Sequence, residues 1–173
     1  IMARNRYWGI KEETTFGTEA PEPMTYDLTD GVASMGLDAP DDPNIPIPTL
    51  NRFQTKHMPG FYSPSGGAEY TVDINSIGWF LKWALGGYKF TAGTGQNPNK
   101  HEFWAQQGYT LKSFTSKVGK DTFEHKFLGC VINKLSINIE NELLTIKLDM
   151  IAQKDKKDTL RNESALTLID PDL

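Results

Sequence analysis

The sequence predicts a mainly β chain, an antiparallel sandwich or barrel-like domain with a minor α component of one flanking helix and a long Pro-rich loop. Three observations lead there. From Tyr109 to Met150 apolar and polar residues alternate almost without interruption, broken only by short polar turns. Only one segment, residues 75–87, carries a helical period. Prolines and glycines crowd residues 34–68, which excludes helix and central strand from that stretch. With 173 residues, 38% hydrophobic and 23% charged, one domain with a real core is expected over residues 1–173.

Residues 1–33 read as an N-terminal arm. Arg6 to Ile10 suits a short strand, after which Gly17, Pro21 and Pro23 break regular structure. An Ile precedes Met2, so the natural start is expected elsewhere, and the opening residues have no apolar core of a signal peptide. Residues 34–68 form the Pro-rich loop. "DAPDDPNIPIPT" places Pro40, Pro43, Pro46 and Pro48 close together and favours polyproline-like extension. Ile45, Ile47, Leu50, Phe53, Met58, Phe61 and Tyr62 are interspersed, more large apolar groups than a flexible linker carries. Such a loop is expected to pack on something, in its own chain or in another copy.

The body spans residues 69–152 as strand, helix and meander. "EYTVDI" reads as a strand. In the helix that follows, Ile77, Phe80, Leu81, Ala84 and Leu85 make one apolar stripe for packing on the sheet, with Asn75 or Ser76 as N-cap and Gly86 or Gly87 as C-cap. Trp79 and Trp83 flank the stripe, to pack on the sheet or touch a neighbouring subunit. Two consecutive hairpins come next, the first turning at Gly119–Asp121. Residues 153–173 read as a charged, solvated loop and one last partial strand; in all, one helix and about six strands are expected.

The second hairpin, "NKLSINIENELLTIKLDM", is two-faced. A two-residue turn at Asn141-Glu142 pairs Ile139 with Leu144, Ile137 with Ile146 and Leu135 with Leu148 on an apolar face. The other face then carries Asn138 beside Thr145, Ser136 beside Lys147, and Lys134 beside Asp149. That face mixes hydroxyls, amides and both signs of charge, with no aromatic platform. It suits an ordinary wetted sheet or a wall designed not to stick.

Chemistry-bearing constellations are missing. The net charge of −4 argues against a grip on nucleic acid by phosphate neutralisation. His57, His101 and His125 lie in no zinc-binding spacing, and Cys130 reads as a buried structural thiol. "GTGQNPNK" lacks the residues of a phosphate loop, and the prolines in "DAPDDPN" spoil a calcium loop. No cofactor, metal or catalytic residue is expected, no apolar run is long enough to span a bilayer, and an enzyme is disfavoured.

Three stretches carry a family likeness: "RYWGIKEETTFGTEA" at the start, "SIGWFLKWALGG" in the middle, and "FLGCVINKLSINIENELLTIKLDMIAQK" after it. In order and spacing the chain resembles the tail tube proteins (major tail proteins) of long-tailed bacteriophages and related tailed viruses, from about residue 4 to about residue 154. The resemblance implies a structural virion protein whose copies join sheet edges into rings, commonly hexameric, that stack into a hollow tube for delivery of viral DNA. It implies that Lys134, Ser136, Asn138, Thr145, Lys147 and Asp149 line the lumen. The arm and the Pro-rich loop would bridge to neighbouring subunits or the next ring. The implied partners are the chain itself, a tape-measure protein and passing DNA in the lumen without specific binding, and terminator, baseplate or sheath proteins; there is no membrane partner. The implied place is the virion tail, assembled in the host cytoplasm. Many members continue beyond the point where this chain stops, so either this member is short or the chain is a fragment.

Two further readings stand beside this one. A tail-completion or baseplate protein of the same fold would form single rings. A monomeric carbohydrate- or ligand-binding β domain would use Trp79, Trp83 and Trp104, two of which lie on the expected helix, an unusual place for a sugar platform.

Overall fold

The computed structural model describes residues 7–21, 24–27, 32–38, 44–46, 57–59, 62–72, 74–108, 111–120, 123–140, 143–158 and 166–168. Among them are one helix, α1 (Ile74–Leu85), and thirteen strands. The strands are β1 (Tyr7–Glu12), β2 (Met24–Asp27), β3 (Val32–Asp38), β4 (Asn44–Pro46), β5 (His57–Pro59), β6 (Ser65–Thr71), β7 (Gly86–Thr91), β8 (Lys100–Ala105), β9 (Phe114–Lys120), β10 (Phe123–Glu140), β11 (Leu143–Ile151), β12 (Lys154–Asp158) and β13 (Leu166–Leu168). The chain is mainly antiparallel β with one helix, as its periodicity predicts.

Nine strands form one bent sheet in the order β13-β2-β1-β9-β10-β11-β6-β3, with β12 beside β10. Among the described strands only the β13–β2 pairing is parallel. Among the described residues the sheet stays open rather than closing into a barrel, because its end strands β3 and β13 do not pair with each other. Its two halves share one apolar cluster. Trp8, Ile10, Phe114, Val118 and Phe127 come from the first half, and Ala68, Ile132, Ile146, Leu148 and Met150 from the second. Phe80 and Trp83 of α1 complete the cluster through an aromatic ladder. Trp8 stacks on Phe80 at 5.6 Å, and Trp83 stacks on Phe114 at 4.4 Å. The Trp8 indole N–H donates to Ser116 Oγ at 2.7 Å, so the buried ring leaves no donor unmet.

Several expectations change. The two expected hairpins share a strand: β10 runs unbroken for 18 residues from one into the other. It can do so because it shifts register twice, between Phe127 and Cys130 and between Ile132 and Lys134. Each shift resets which residues face the core. The stretch expected as a solvated loop after residue 153 contains β12, which pairs with Glu124–Leu128 of β10. It continues the line of β11 along the same edge of β10, so its charges decorate a strand.

The expected loop 34–68 is shorter than its sequence suggests: residues 34–38 belong to β3 and 65–68 to β6, an interior strand between β11 and β3, and the stretch between them holds the small β4–β5 pair. Pro46 and Pro59 sit at the ends of these three-residue strands, where a missing N–H is tolerated. On α1 the core face is Ile77, Phe80, Trp83 and Ala84, whereas Leu81 and Leu85 are half-buried flanks. Trp83 takes the centre because its ring reaches Phe114. The helix ends at Gly86, whose φ of 84° makes the left-handed cap.

Candidate assembly surface

The β10–β11 hairpin has the register its sequence predicts, with Lys134 opposite Asp149, Ser136 opposite Lys147 and Asn138 opposite Thr145. These six residues lie together on one face. Lys134, Asn138 and Lys147 are exposed, and Ser136, Thr145 and Asp149 are half-buried. The Thr145 hydroxyl donates to the Asn138 carbonyl at 3.3 Å.

The opposite, apolar face is not uniformly covered. Ile146, Leu148 and Met150 are buried and Leu135 packs at the margin, but Ile137 is 46% exposed and Ile139 78% exposed. On the apolar face the core ends at the Ile137–Ile146 pair, where Ile146 is still buried, so the Ile139–Leu144 pair continues toward solvent where a full core contact was expected.

At its other end the same ribbon is closed by its own chain. Gly129 has φ 65°, and a side chain there would strike Gln153 in the bend between β11 and β12. Its N–H donates at 2.9 Å to Glu13, a buried carboxylate that also accepts from Gly17 N–H, Ser113 Oγ and Thr115 Oγ1. Four donors satisfy one carboxylate and tie the residues after β1 to β9 and to the bend in β10. Cys130 is buried as expected. Burial, reinforced by the Glu13 charge, pushes its thiol far above the ordinary range and keeps it protonated.

The segment after β1 crosses the outer face of the sheet, where Glu19 meets Lys126 at 2.8 Å and Ala20 N–H donates to Thr115 Oγ1. Lys117 and Glu124 pair beneath at 3.2 Å, both fully buried. Sequence reasoning missed this pair and the Glu13 clasp. Alternation places such residues off the core face but does not say that the chain will return to cover them.

Glu12 fixes the helix to β1. Lys82 and Lys112 contact it at 2.6 and 2.7 Å, and the Trp83 indole donates at 3.1 Å. Burial alone would raise its pKa, but these hydrogen bonds and the Lys82 charge outweigh it and hold the carboxyl below its ordinary value. Trp79, by contrast, lies 37% exposed.

Of the seven apolar residues singled out in the Pro-rich stretch, Ile47, Leu50, Phe53 and Phe61 lie outside the described residues. Ile45 and Met58 are register partners in the β4–β5 pair. Tyr62 is held by its own chain, as its hydroxyl bonds Asp155 of β12. His125 Nε2 binds the same carboxylate at 2.6 Å.

The three tryptophans make no sugar platform. Trp83 is buried, Trp79 sits on α1, and the Trp104 ring lies over Gly87 on one face of the β7–β8 ribbon. Among the described residues no group of three His, Cys, Asp or Glu side chains could hold a metal, and no helix is long and apolar enough to cross a membrane.

Compared with known families, residues 3–168 match the phage tail tube protein family. The chain belongs to that family. No curated protein matches it. The match spans the whole bent sheet and α1 and includes all three stretches that carry the likeness in sequence. A tail tube protein is a structural component of the virion tail that associates with its own kind into a tube, and the family is not one of enzymes.

Proposed function

We propose that this tail tube protein closes into rings, hexameric by family likeness, which stack into the hollow tube that delivers viral DNA. The observation that carries the reading is the bare apolar end of the β10–β11 hairpin. Ile137 and Ile139 continue a face whose other half is core. A neighbouring copy seated against that end would bury them, at roughly 25 cal/mol per Å² of apolar surface removed from water.

The opposite face would then line the bore. Lys134 stands opposite Asp149, Lys147 leaves the face a net charge of +1, and Ser136, Asn138 and Thr145 add only small polar groups. Such a wall offers a passing polyanion one unmatched lysine per copy and no aromatic platform, so contact stays weak and without sequence preference. Ile45, Ile47, Leu50, Phe53, Met58 and Phe61 would reach neighbouring copies, while Tyr62 anchors that segment at home. Assembly would take place in the host cytoplasm.

Negative-stain electron microscopy of the concentrated chain tests this, with long hollow tubes as the expected result. Ile139→Asp should abolish the tubes and leave a folded monomer. Isolated rings would instead favour the tail-completion or baseplate role, and monomers at every concentration would overturn the reading.

A further inference from the structure

The two faces of the β10–β11 ribbon differ along its length. At the tip the apolar face is bare, with Ile137 and Ile139 exposed and Leu144 half-buried beside them. Toward the root the opposite face is hollow. A cleft of about 680 Å³ opens there, lined among others by Ser65, Gly66, Gly67, Asn133, Asp149 and Ile151. Its floor is bare because Gly66 and Gly67 bring no side chains. Gly67 can carry none, since a Cβ would stand 2.5 Å from the Leu148 carbonyl oxygen. Gly36 of β3 pairs with Gly67, so the bare floor runs on into the next strand. Ile151, 38% exposed, adds an apolar side chain to a face that is otherwise polar.

The tip cannot reach this cleft in its own chain. Ile151 pairs with Val131, which lies eight residues from Ile139 along one extended strand, about 26 Å at ~3.3 Å per residue. A tip that enters the cleft therefore belongs to another copy.

Members of this family associate with their own kind into a tube. A contact between like surfaces closes on two copies, so growth needs contacts between unlike surfaces. Tip and cleft are unlike in the required way. One is a protruding apolar edge and the other a floor without side chains, and they lie at opposite ends and on opposite faces of one ribbon. A tip laid in the cleft overlaps the next ribbon as one shingle overlaps another, and the overlap repeats from copy to copy. Asn138 and Thr145 lie on the reverse of the tip, so the surface stays polar across the joint.

We infer that the cleft between β6 and the bulge at Asn133 is the docking site for the Ile137–Ile139–Leu144 tip of a second copy of this chain. This deepens the proposed function by naming what covers the tip, and it rests on that reading only in requiring that copies meet.

Disulfide trapping tests it. Ile139→Cys and Ile151→Cys are placed in separate chains, mixed and then concentrated. The native Cys130 stays silent, because it is buried and its thiol is held protonated. Oxidation should give a tip-to-root dimer at least tenfold faster than Ile139→Cys mixed with Gln107→Cys, an exposed control in the turn after β8. A tip-to-tip dimer formed as fast by the Ile139→Cys chain alone would mean a like-to-like contact and would overturn the proposal. A tip-to-root product no faster than the control would overturn it too.

Ser65→Trp gives a second reading, since an indole on the exposed Ser65 fills the cleft. It should cut pelletable assembly at least tenfold while the denaturation midpoint holds, and unchanged assembly would count against the docking site. Electron microscopy of the wild type keeps the two readings apart. Tubes without the tip-to-root dimer remove this contact and leave the tube reading standing. The dimer without tubes keeps the contact and removes the tube.

Discussion

The two ends of the β10–β11 ribbon are built from the same pair of strands yet differ in kind. At Gly129 the chain supplies the partners: Glu13 takes four donors, Gln153 faces the bend, and Glu13, Ser113, Thr115 and Cys130 are buried. At the hairpin end the pattern of apolar alternation persists, but the core has ended and Ile137 and Ile139 lie bare. The difference separates two uses of one physical rule. A finished end stabilises the monomer. An unfinished end stores apolar area that another molecule can cover.

The sharpest way to break the comparison is at Glu13. Glu13→Ala strands two buried backbone N–H groups and two hydroxyls, at about 1–3 kcal/mol for each donor that finds no substitute. A loss of about 4 kcal/mol in chemical denaturation is expected, and a loss below about 1 kcal/mol would show that the carboxylate does not hold the bend. Next comes Gly129→Ala, which forces a side chain into φ 65° against Gln153. It should cost about 2 kcal/mol in the same assay.

Tyr62→Phe should cost about 1 kcal/mol by removing one bond to Asp155. Burial alone would raise the pKa of Asp155, but hydrogen bonds from Tyr62 and His125 outweigh it and hold the carboxyl below its ordinary value. Its contribution is therefore present above the unfolded pKa and fades as pH falls through the folded one. The stability gap between wild type and Asp155→Asn should shrink from about pH 5 to about pH 2. A gap that widened on acidification would reverse the assignment. The smallest effect on the monomer belongs to the unfinished end. Ile137→Ser with Ile139→Ser should stay within about 0.5 kcal/mol in denaturation while sedimentation shows assembly lost.

What the sequence made legible follows from how local each signal is. The hairpin register was readable because alternation, turn residues and the Lys134–Asp149 match all agree within 18 residues of one another. The helix was readable for the same reason, although its centre was not. Trp83 outranks Leu81 only because Phe114, far along the chain, offers a ring to stack on. The Glu13 clasp, the Lys117–Glu124 pair and the strand character of Lys154–Asp158 depend on which segments return to cover or extend the sheet. Alternation is silent on that, and a run such as "QKDKKD" looks solvated whichever way its backbone is paired. The bare ends of Ile137 and Ile139 were hidden too, because periodicity marks a face as apolar without saying how far the core beneath it extends.

The bend at Gly129 also has a mechanical side. From Gly129 to Glu140 the strand forms a lever about 36 Å long at ~3.3 Å per residue. A change of about 5° at its root would swing the tip by about 3 Å. In a closed ring of such levers, the calibre of the channel would be governed by the curvature stored around one glycine, the clamped carboxylate of Glu13 acting as the stop that sets it.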